Sequence, residues 1–273
     1  MPSAFRALFE RHTELPAWLI KPAWRLLHRF IAARDRDLTV RFLNYGYGTK
    51  DDGPLVELRR EDEADRYCIQ LYHVVAAARQ LQGRRVLEVG CGRGGGAHYV
   101  MRYLSPNEVV GLDQSVKVTK RLNGGYQEAG LSFVQGDAEA LPFEAGTFDA
   151  ILNVESSRVY PHVERFFAGV ARVLVPGGVL LFADMREASD VDLLYSQIED
   201  AGLRIDECEN ITEAVLRGLS HDNGRRAAEI ARLAPGFMVG AMEQFAGVEG
   251  SERYESFASG RMQYVRLVAS APA

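Results

Sequence analysis

The segment Val86-Leu87-Glu88-Val89-Gly90-Cys91-Gly92-Arg93-Gly94-Gly95-Gly96 holds the densest chemistry in the chain. An apolar run carries an acid near its end, enters a glycine-rich turn and leads into a helical pattern. Glycine lets the backbone approach a ligand closely, and the helix N-terminus offers unpaired N–H groups. Dinucleotide sites also use such turns. Glu88, two residues before Gly90, separates the readings. A pyrophosphate is repelled by a carboxylate there, whereas a ligand with an ammonium or sulfonium and no phosphate tolerates it. Cys91 fits the turn by size and carries no nucleophilic role. Asp113, followed by Gln114, ends a second apolar run 21 residues after Gly92, and a carboxylate there accepts both hydroxyls of a ribose. Asp137 follows a third run. Its carboxylate can take the exocyclic amine of adenine while the N–H of Ala138 faces a ring nitrogen. Asn153-Val154-Glu155-Ser156 closes a fourth run, and Leu174-Val175-Pro176-Gly177-Gly178 is a tight turn before a fifth.

The elements that position these residues alternate. Strands are expected at 85–89, 108–113, 131–135, 148–153 and 179–184, with helices through about 104, over 115–129 and over 161–174. Continuous apolar strands separated by helices give a parallel sheet buried on both faces, and right-handed crossovers make it doubly wound. A helix at 190–201, a strand at 203–209, helical residues 210–246 broken at Pro235-Gly236, and a final antiparallel strand at 263–268 complete the expectation. The fold class is thus α/β: a Rossmann-like, mostly parallel seven-stranded sheet with an N-terminal helical cover and a C-terminal helical insertion. The expected division is a cover or lid over 1–60 and a main domain over 61–273, with a substrate-pocket insertion at about 186–262. The main domain opens on a helix at 61–82, acidic at its start and stopped by Gly83.

The chain has 273 residues, is 47% hydrophobic and 25% charged, and so folds around a sizeable core. A formal net charge of −5 argues against a dedicated nucleic-acid binder. Three widely spaced cysteines contain no CxxC pair, which fits a reducing compartment and gives no structural metal site. No apolar run is long enough to span a membrane. Residues 1–36 differ from the rest, with seven Lys/Arg against three acids and with Trp24, Leu27, Phe30 and Ile31 at helical spacing. That stripe reads either as a helix covering the core or as a helix lying on a membrane surface.

Taken together, Glu88 to Gly96, Asp113, Gly136-Asp137-Ala138 and Leu174 to Gly178 resemble the motifs of the class I S-adenosylmethionine (SAM)-dependent methyltransferases, over about residues 85–185. A wider resemblance runs from about residue 40 to the end. Phe42-Leu43-Asn44-Tyr45-Gly46-Tyr47, Leu71-Tyr72-His73, Asn153-Val154-Glu155-Ser156-Ser157, Tyr160-Pro161-His162 and Ala214-Val215-Leu216-Arg217-Gly218 look like the mycobacterial phthiotriol/phenolphthiotriol dimycocerosate methyltransferases. The resemblance implies SAM as cofactor and O-methylation of a lipid, polyketide or other secondary-metabolite hydroxyl or carboxylate. The expected cofactor site comprises Tyr47, Glu88, Gly90, Cys91, Gly92, Gly94, Asp113, Gln114, Asp137, Ala138, Asn153 and Glu155. The carbonyl of Asn153 is expected to take the ammonium. Tyr45 and Tyr47 are expected in a lid.

One position departs from that family. Arg158 stands where relatives place a histidine that can serve as base. Arginine stays protonated near neutral pH, so it cannot remove a proton, but it can pair bidentately with a carboxylate. The candidate catalytic residues are therefore His162, Asp184, His73 and Arg158. The sulfonium is already activated, so no metal is expected. Apolar residues Leu216, Leu219, Phe237, Met238, Met242, Phe245, Phe257 and Met262 point to a greasy acceptor. N- or C-methylation, and a SAM-binding protein that does not methylate, stay open as alternatives. The expected setting is cytoplasmic, as a monomer or homodimer, with residues 1–36 as the part that would touch an inner membrane surface.

Overall fold

The computed structural model describes residues 39–51 and 53–273, apart from the side chain of Phe237. The basic stripe of residues 1–36 lies outside them. Among the described residues, seven strands form one sheet in the order β3-β2-β1-β4-β5-β7-β6. They are β1 (Arg85–Val89), β2 (Glu108–Asp113), β3 (Leu131–Gln135), β4 (Phe148–Val154), β5 (Leu174–Glu187), β6 (Arg204–Asn210) and β7 (Met262–Ser270). The first five pair in parallel, and β7 runs antiparallel between β5 and β6. The central strands are apolar on both faces because helices cover both. Leu87, Val86, Ile151, Leu152, Leu180 and Leu181 are all fully or almost fully buried.

The helices are α1 (Arg66–Ala76), α2 (Gly95–Leu104), α3 (Val116–Gly125), α4 (Val163–Val173), α5 (Val191–Asp200), α6 (Thr212–Leu233), α7 (Val239–Ala246) and α8 (Glu252–Ala258). Two differ from expectation. The helix expected over 61–82 is a tighter 3-10 turn at Arg60–Asp65 followed by α1, which stops at Ala76. Beyond it Leu81 turns into the core, and Gly83, at φ 73°, leads the chain into β1. α8 was not expected; its signal is Ser251, whose hydroxyl accepts the Tyr254 N–H before an acidic first turn. The turn expected before β5 lies inside its ladder. Phe148 pairs with Leu174 and Ala150 with Val179, so Val175 to Gly178 loop out of register.

β1 and β4 are neighbours, while the chain winds outward from them in opposite directions. That is the topological switch point, where a crevice opens at the carboxyl ends of parallel strands. Residues 40–48 form a strap across this end. Arg93 Nε donates to the Val40 carbonyl at 2.8 Å, and the Gly48 N–H donates to Ala214 O at 2.8 Å. Between those ends the Tyr47 N–H reaches Tyr67 O at 2.9 Å. Strap and α6 cross at two glycines. A Cβ on Gly218 would meet the Tyr47 nitrogen at 2.7 Å, and one on Gly48 would meet the Gly218 nitrogen at 2.8 Å.

These contacts are with backbone, so they cannot relax by a rotamer change. Gly218→Ala is expected to destabilise the chain by about 1–3 kcal/mol through overpacking. Gly224→Ala, in the same helix with nothing near its would-be Cβ, is expected to stabilise by roughly 0.5–1 kcal/mol. Chemical denaturation of the two variants beside the parent checks the opposite signs.

Candidate active site

The glycine turn leaves β1 and reverses onto α2. Gly90, Gly92 and Gly94 have φ of 77°, 52° and 79°, the left-handed region that side chains disfavour. Gly90 is also pressed against Ser156, so a Cβ there would collide with the Ser156 hydroxyl. The turn is thereby held against the residues that leave β4. Cys91 is buried, and burial pushes its thiol far above the usual range, which fits a packing role.

Glu88 points into this edge and is 1% exposed. Its Oε1 accepts the Tyr72 hydroxyl of α1 at 2.7 Å. Its Oε2 is buried without a partner among the described residues. Burial pushes its carboxyl up to about 7, against the hydrogen bonds from Tyr72 and the Ala97 N–H. Asn153, 0% exposed, is similar. Its Nδ2 donates to the Val89 carbonyl at 2.9 Å and to the Tyr160 hydroxyl at 3.3 Å, while Oδ1 is buried and unpartnered. Tyr160 also bonds the Ser156 hydroxyl at 2.6 Å. The two open groups are both acceptors, and one is an acid with no cation beside it among the described residues. A ligand that brings donors and positive charge suits them; a phosphate does not.

Asp113 ends β2, and its Oδ1 accepts the Ser115 N–H at 2.8 Å. Burial raises its carboxyl from the ordinary value, and N–H groups of Ser115 and Gly92 pull it back. Gln114 is exposed beside it and accepts a bond from Gln135 at 3.4 Å. Asp137 is exposed at the end of β3 and caps its own turn through the Glu139 N–H at 2.9 Å, with Ala138 between them. The Glu88, Asp113 and Asp137 positions thus succeed one another along the carboxyl ends of β1, β2 and β3.

Glu155, at φ 50°, serves the strap. Its Oε1 accepts the Tyr45 N–H at 2.7 Å and the Tyr264 hydroxyl of β7 at 2.8 Å. Tyr45 is buried edge-on against Phe257, and its hydroxyl donates to the Phe245 carbonyl at 3.1 Å. Tyr47 is partly buried; its carbonyl accepts Gln70 Nε2 at 2.8 Å.

The four candidate catalytic residues do not converge. His73 bonds the Tyr99 hydroxyl at 2.7 Å where α1 packs on α2, and burial lowers its pKa. The His162 side chain is 52% exposed at the start of α4, and its N–H donates to Glu139 at 3.0 Å. Asp184 is 0% exposed on β5. Burial raises its carboxyl, but Arg186 and Arg158, with bonds from Ser157 Oγ at 2.8 Å and the Met185 N–H at 2.9 Å, hold it below the ordinary value. The Arg158 N–H adds a bond to Asp184 at 2.9 Å, and Arg158 Nη1 donates to the Glu155 carbonyl at 2.7 Å. Asp184 and Arg158 come together; His73 and His162 stand apart from them. Tyr72, Tyr160, Tyr264 and Arg186 are participants that the sequence reading missed.

The apolar residues expected to line an acceptor pocket divide. Leu219 and Phe257 belong to the main core, Met238 and Met242 to a smaller cluster with Val40, Ile230 and Leu233. Met262 borders a cavity of about 290 Å³ beside Arg158. A larger cavity of about 690 Å³ lies at the opposite end of the sheet, around Arg84, Asp149 and Arg204. It contains none of the glycine-turn residues.

A family described as Methyltransferase domain matches residues 87–182. A fatty-acid O-methyltransferase of Mycolicibacterium smegmatis is 42% identical over 79% of this chain and 78% of its own. A phthiotriol/phenolphthiotriol dimycocerosates methyltransferase of Mycobacterium leprae is 36% identical over 90% and 91%. Among solved structures, the cyclase SpnF superposes with a TM-score of 0.68 at 20% identity, covering 89% of this chain and 93% of its own. A putative sarcosine dimethylglycine methyltransferase from Galdieria sulphuraria gives 0.69 at 15%, covering 90% and 98%. Those two show the fold. With the extended sequence similarity to the mycobacterial enzymes, the chain belongs to the class I SAM-dependent methyltransferases, in the group of the fatty-acid and phthiotriol dimycocerosate enzymes.

Proposed function

We propose that this SAM-dependent methyltransferase methylates an oxygen, a hydroxyl or a carboxylate, of a hydrophobic small molecule. The observation that carries the reading is the similarity, over most of the chain, to enzymes named for fatty-acid and dimycocerosate acceptors. When bound, SAM supplies a methyl group already activated on a sulfonium. The chain's own residues then have to bind, align and exclude water. Asp113 holds the ribose, Asp137 and the Ala138 N–H hold adenine, and Gln114 borders them. Gly90, Cys91, Gly92 and Gly94 let the backbone approach, and Glu88 faces the methionine end. The carbonyl of Asn153 takes the ammonium. The strap covers them, with Tyr47 in it and Glu155 anchoring it.

Of the candidate bases, Asp184 is a positioning residue in this reading. It is saturated with hydrogen bonds and orients the turn that carries Arg158. His73 and His162 lie on α1 and at the start of α4, and Arg158 contacts the acceptor. Residues 1–36 add a separate proposal of contact with an acidic membrane surface. Vesicle binding that is salt-sensitive and lost on deleting them supports it; activity on a soluble acceptor lost by the same deletion marks a cover instead.

Calorimetry with SAM tests the site. Asp113→Ala is expected to weaken binding at least tenfold, ~1.4 kcal/mol, and mass spectrometry of acceptors is expected to find the methyl on oxygen. A methyl on nitrogen or carbon contradicts the reading.

Glu88 gives a pH test. Its folded-state value, about 7, lies above the ordinary 4.5. The folded state therefore binds more protons than the unfolded state between those values, so ligand-free stability falls as pH rises from about 4.5 to 7. A cationic ligand favours the ionised acid, so SAM affinity is expected to rise over the same range. Glu88→Gln is expected to flatten both profiles; denaturation and calorimetry at several pH values check it.

A further inference from the structure

The cavity beside Arg158 lies at the carboxyl end of β5, between that strand, α8 and the start of β7. Four arginines border it: Arg158, Arg186, Arg253 and Arg261. The acids on its wall are Glu187 and Glu252, the latter 3.4 Å from Arg261. On the wall itself arginines outnumber acids four to two, and the buried Asp184 and Glu155 beneath Arg158 balance the remainder. Met185 and Met262 supply apolar wall. In a chain of net charge −5, this wall is a local concentration of guanidinium groups.

The floor is rigid. Asp184 holds Arg158 Nη1 at 3.5 Å and Arg186 Nη1 at 3.2 Å, and the Ser157 hydroxyl takes Arg186 Nη2 at 2.6 Å. The bonds that Arg158 makes from its guanidinium all leave from Nη1. Nε and Nη2 have no acceptor among the described residues, and the side chain, 25% exposed, borders the cavity. The segment that carries Arg158 also packs on the glycine turn. Arg158 stands two residues after Ser156, whose hydroxyl occupies the space a Cβ on Gly90 would need.

Resting on the O-methylation reading above, we infer that this arginine-lined cavity is the subsite for a carboxylate on an apolar acceptor, and that this carboxylate is the group that receives the methyl. A lone pair of the carboxylate oxygen forms the new bond to the methyl carbon. The carbon–sulfur bond breaks and its electron pair stays on sulfur. An anion and a sulfonium become a neutral ester and a neutral thioether, and no proton moves. That removes the need for a base at the edge where Arg158 stands. It also gives directionality, because the guanidinium groups attract the acid and not its ester.

The test uses the full chain loaded with S-adenosylhomocysteine and three soluble probes: laurate, methyl laurate and 1-dodecanol. Calorimetry at pH 7.5 is expected to give at least tenfold tighter binding of laurate than of its ester. Arg253→Gln is expected to cut that preference below threefold, with thermal midpoint and S-adenosylhomocysteine affinity unchanged, and Arg253→Lys to restore part of it. With SAM, laurate is expected to yield methyl laurate while dodecanol yields no ether. Equal binding of acid and ester, or a preference that survives Arg253→Gln, overturns the inference. So does laurate recovered without its methyl ester. Ether formation from dodecanol overturns it as well, yet leaves the O-methylation reading standing; a methyl on nitrogen or carbon of an acceptor is what removes that reading.

Discussion

Polar side chains buried at the carboxyl ends of β1, β4 and β5 must find partners, and the surroundings of the site are arranged around that demand. Glu88, Asn153 and Asp184 are each 1% exposed or less. Buried polar groups without partners are destabilising, more so when charged. Each therefore recruits a neighbouring element: Tyr72 from α1 for Glu88, Tyr160 for Asn153, and Arg158 with Arg186 for Asp184. The satisfied groups make a frame. Those without a partner among the described residues, Glu88 Oε2 and Asn153 Oδ1, mark where a ligand has something to gain.

The strap follows the same logic on a larger scale. Arg41 joins it to the acidic start of the main domain, with Asp62 at 2.6 Å and Asp65 at 2.8 Å. Asp65 in turn sits 3.6 Å from Arg225 of α6. Arg226, 8% exposed, donates to the Asn44 carbonyl at 2.9 Å. Buried ion pairs are weak evidence for net stability, but removing one partner is strongly unfavourable. Their use here is to fix where the strap runs, over Arg93 and Gly95 and against Glu155, so that the glycine turn is roofed. A Cβ on Gly95 would meet the Arg41 carbonyl at 2.5 Å, which shows how closely strap and turn approach.

Much of this was legible in the sequence. The five parallel strands, the glycine turn and the strand-end acids follow from continuous apolar runs and from residues whose backbone or charge has one sensible use. The helix at 61–82 was misjudged because acids at its start and a glycine at its end look like caps, whereas Leu81 is drawn into the core by contacts distant in sequence. The site's polar partners were not legible as such. Tyr72, Tyr160 and Tyr264 reach the site from elements 16, 7 and 109 residues from the groups they bond. Nor does sequence distinguish a histidine that bonds a core tyrosine, as His73 does with Tyr99, from one awaiting a proton. Arg158 was legible as a departure. That Asp184 holds it, with Arg186, at the wall of a cavity is a tertiary fact.

The central claim is that the cofactor seats at the β1/β4 switch point beneath the strap. Amide hydrogen exchange with and without S-adenosylhomocysteine tests it most directly, since protection reports which backbone a ligand closes over. The account predicts slowed exchange confined to the strap at 40–48, the turn at 90–96, the ends of β2 and β4 and residues 136–138 after β3. Protection centred instead on the cavity around Arg84, Asp149 and Arg204, with the strap unchanged, would contradict it.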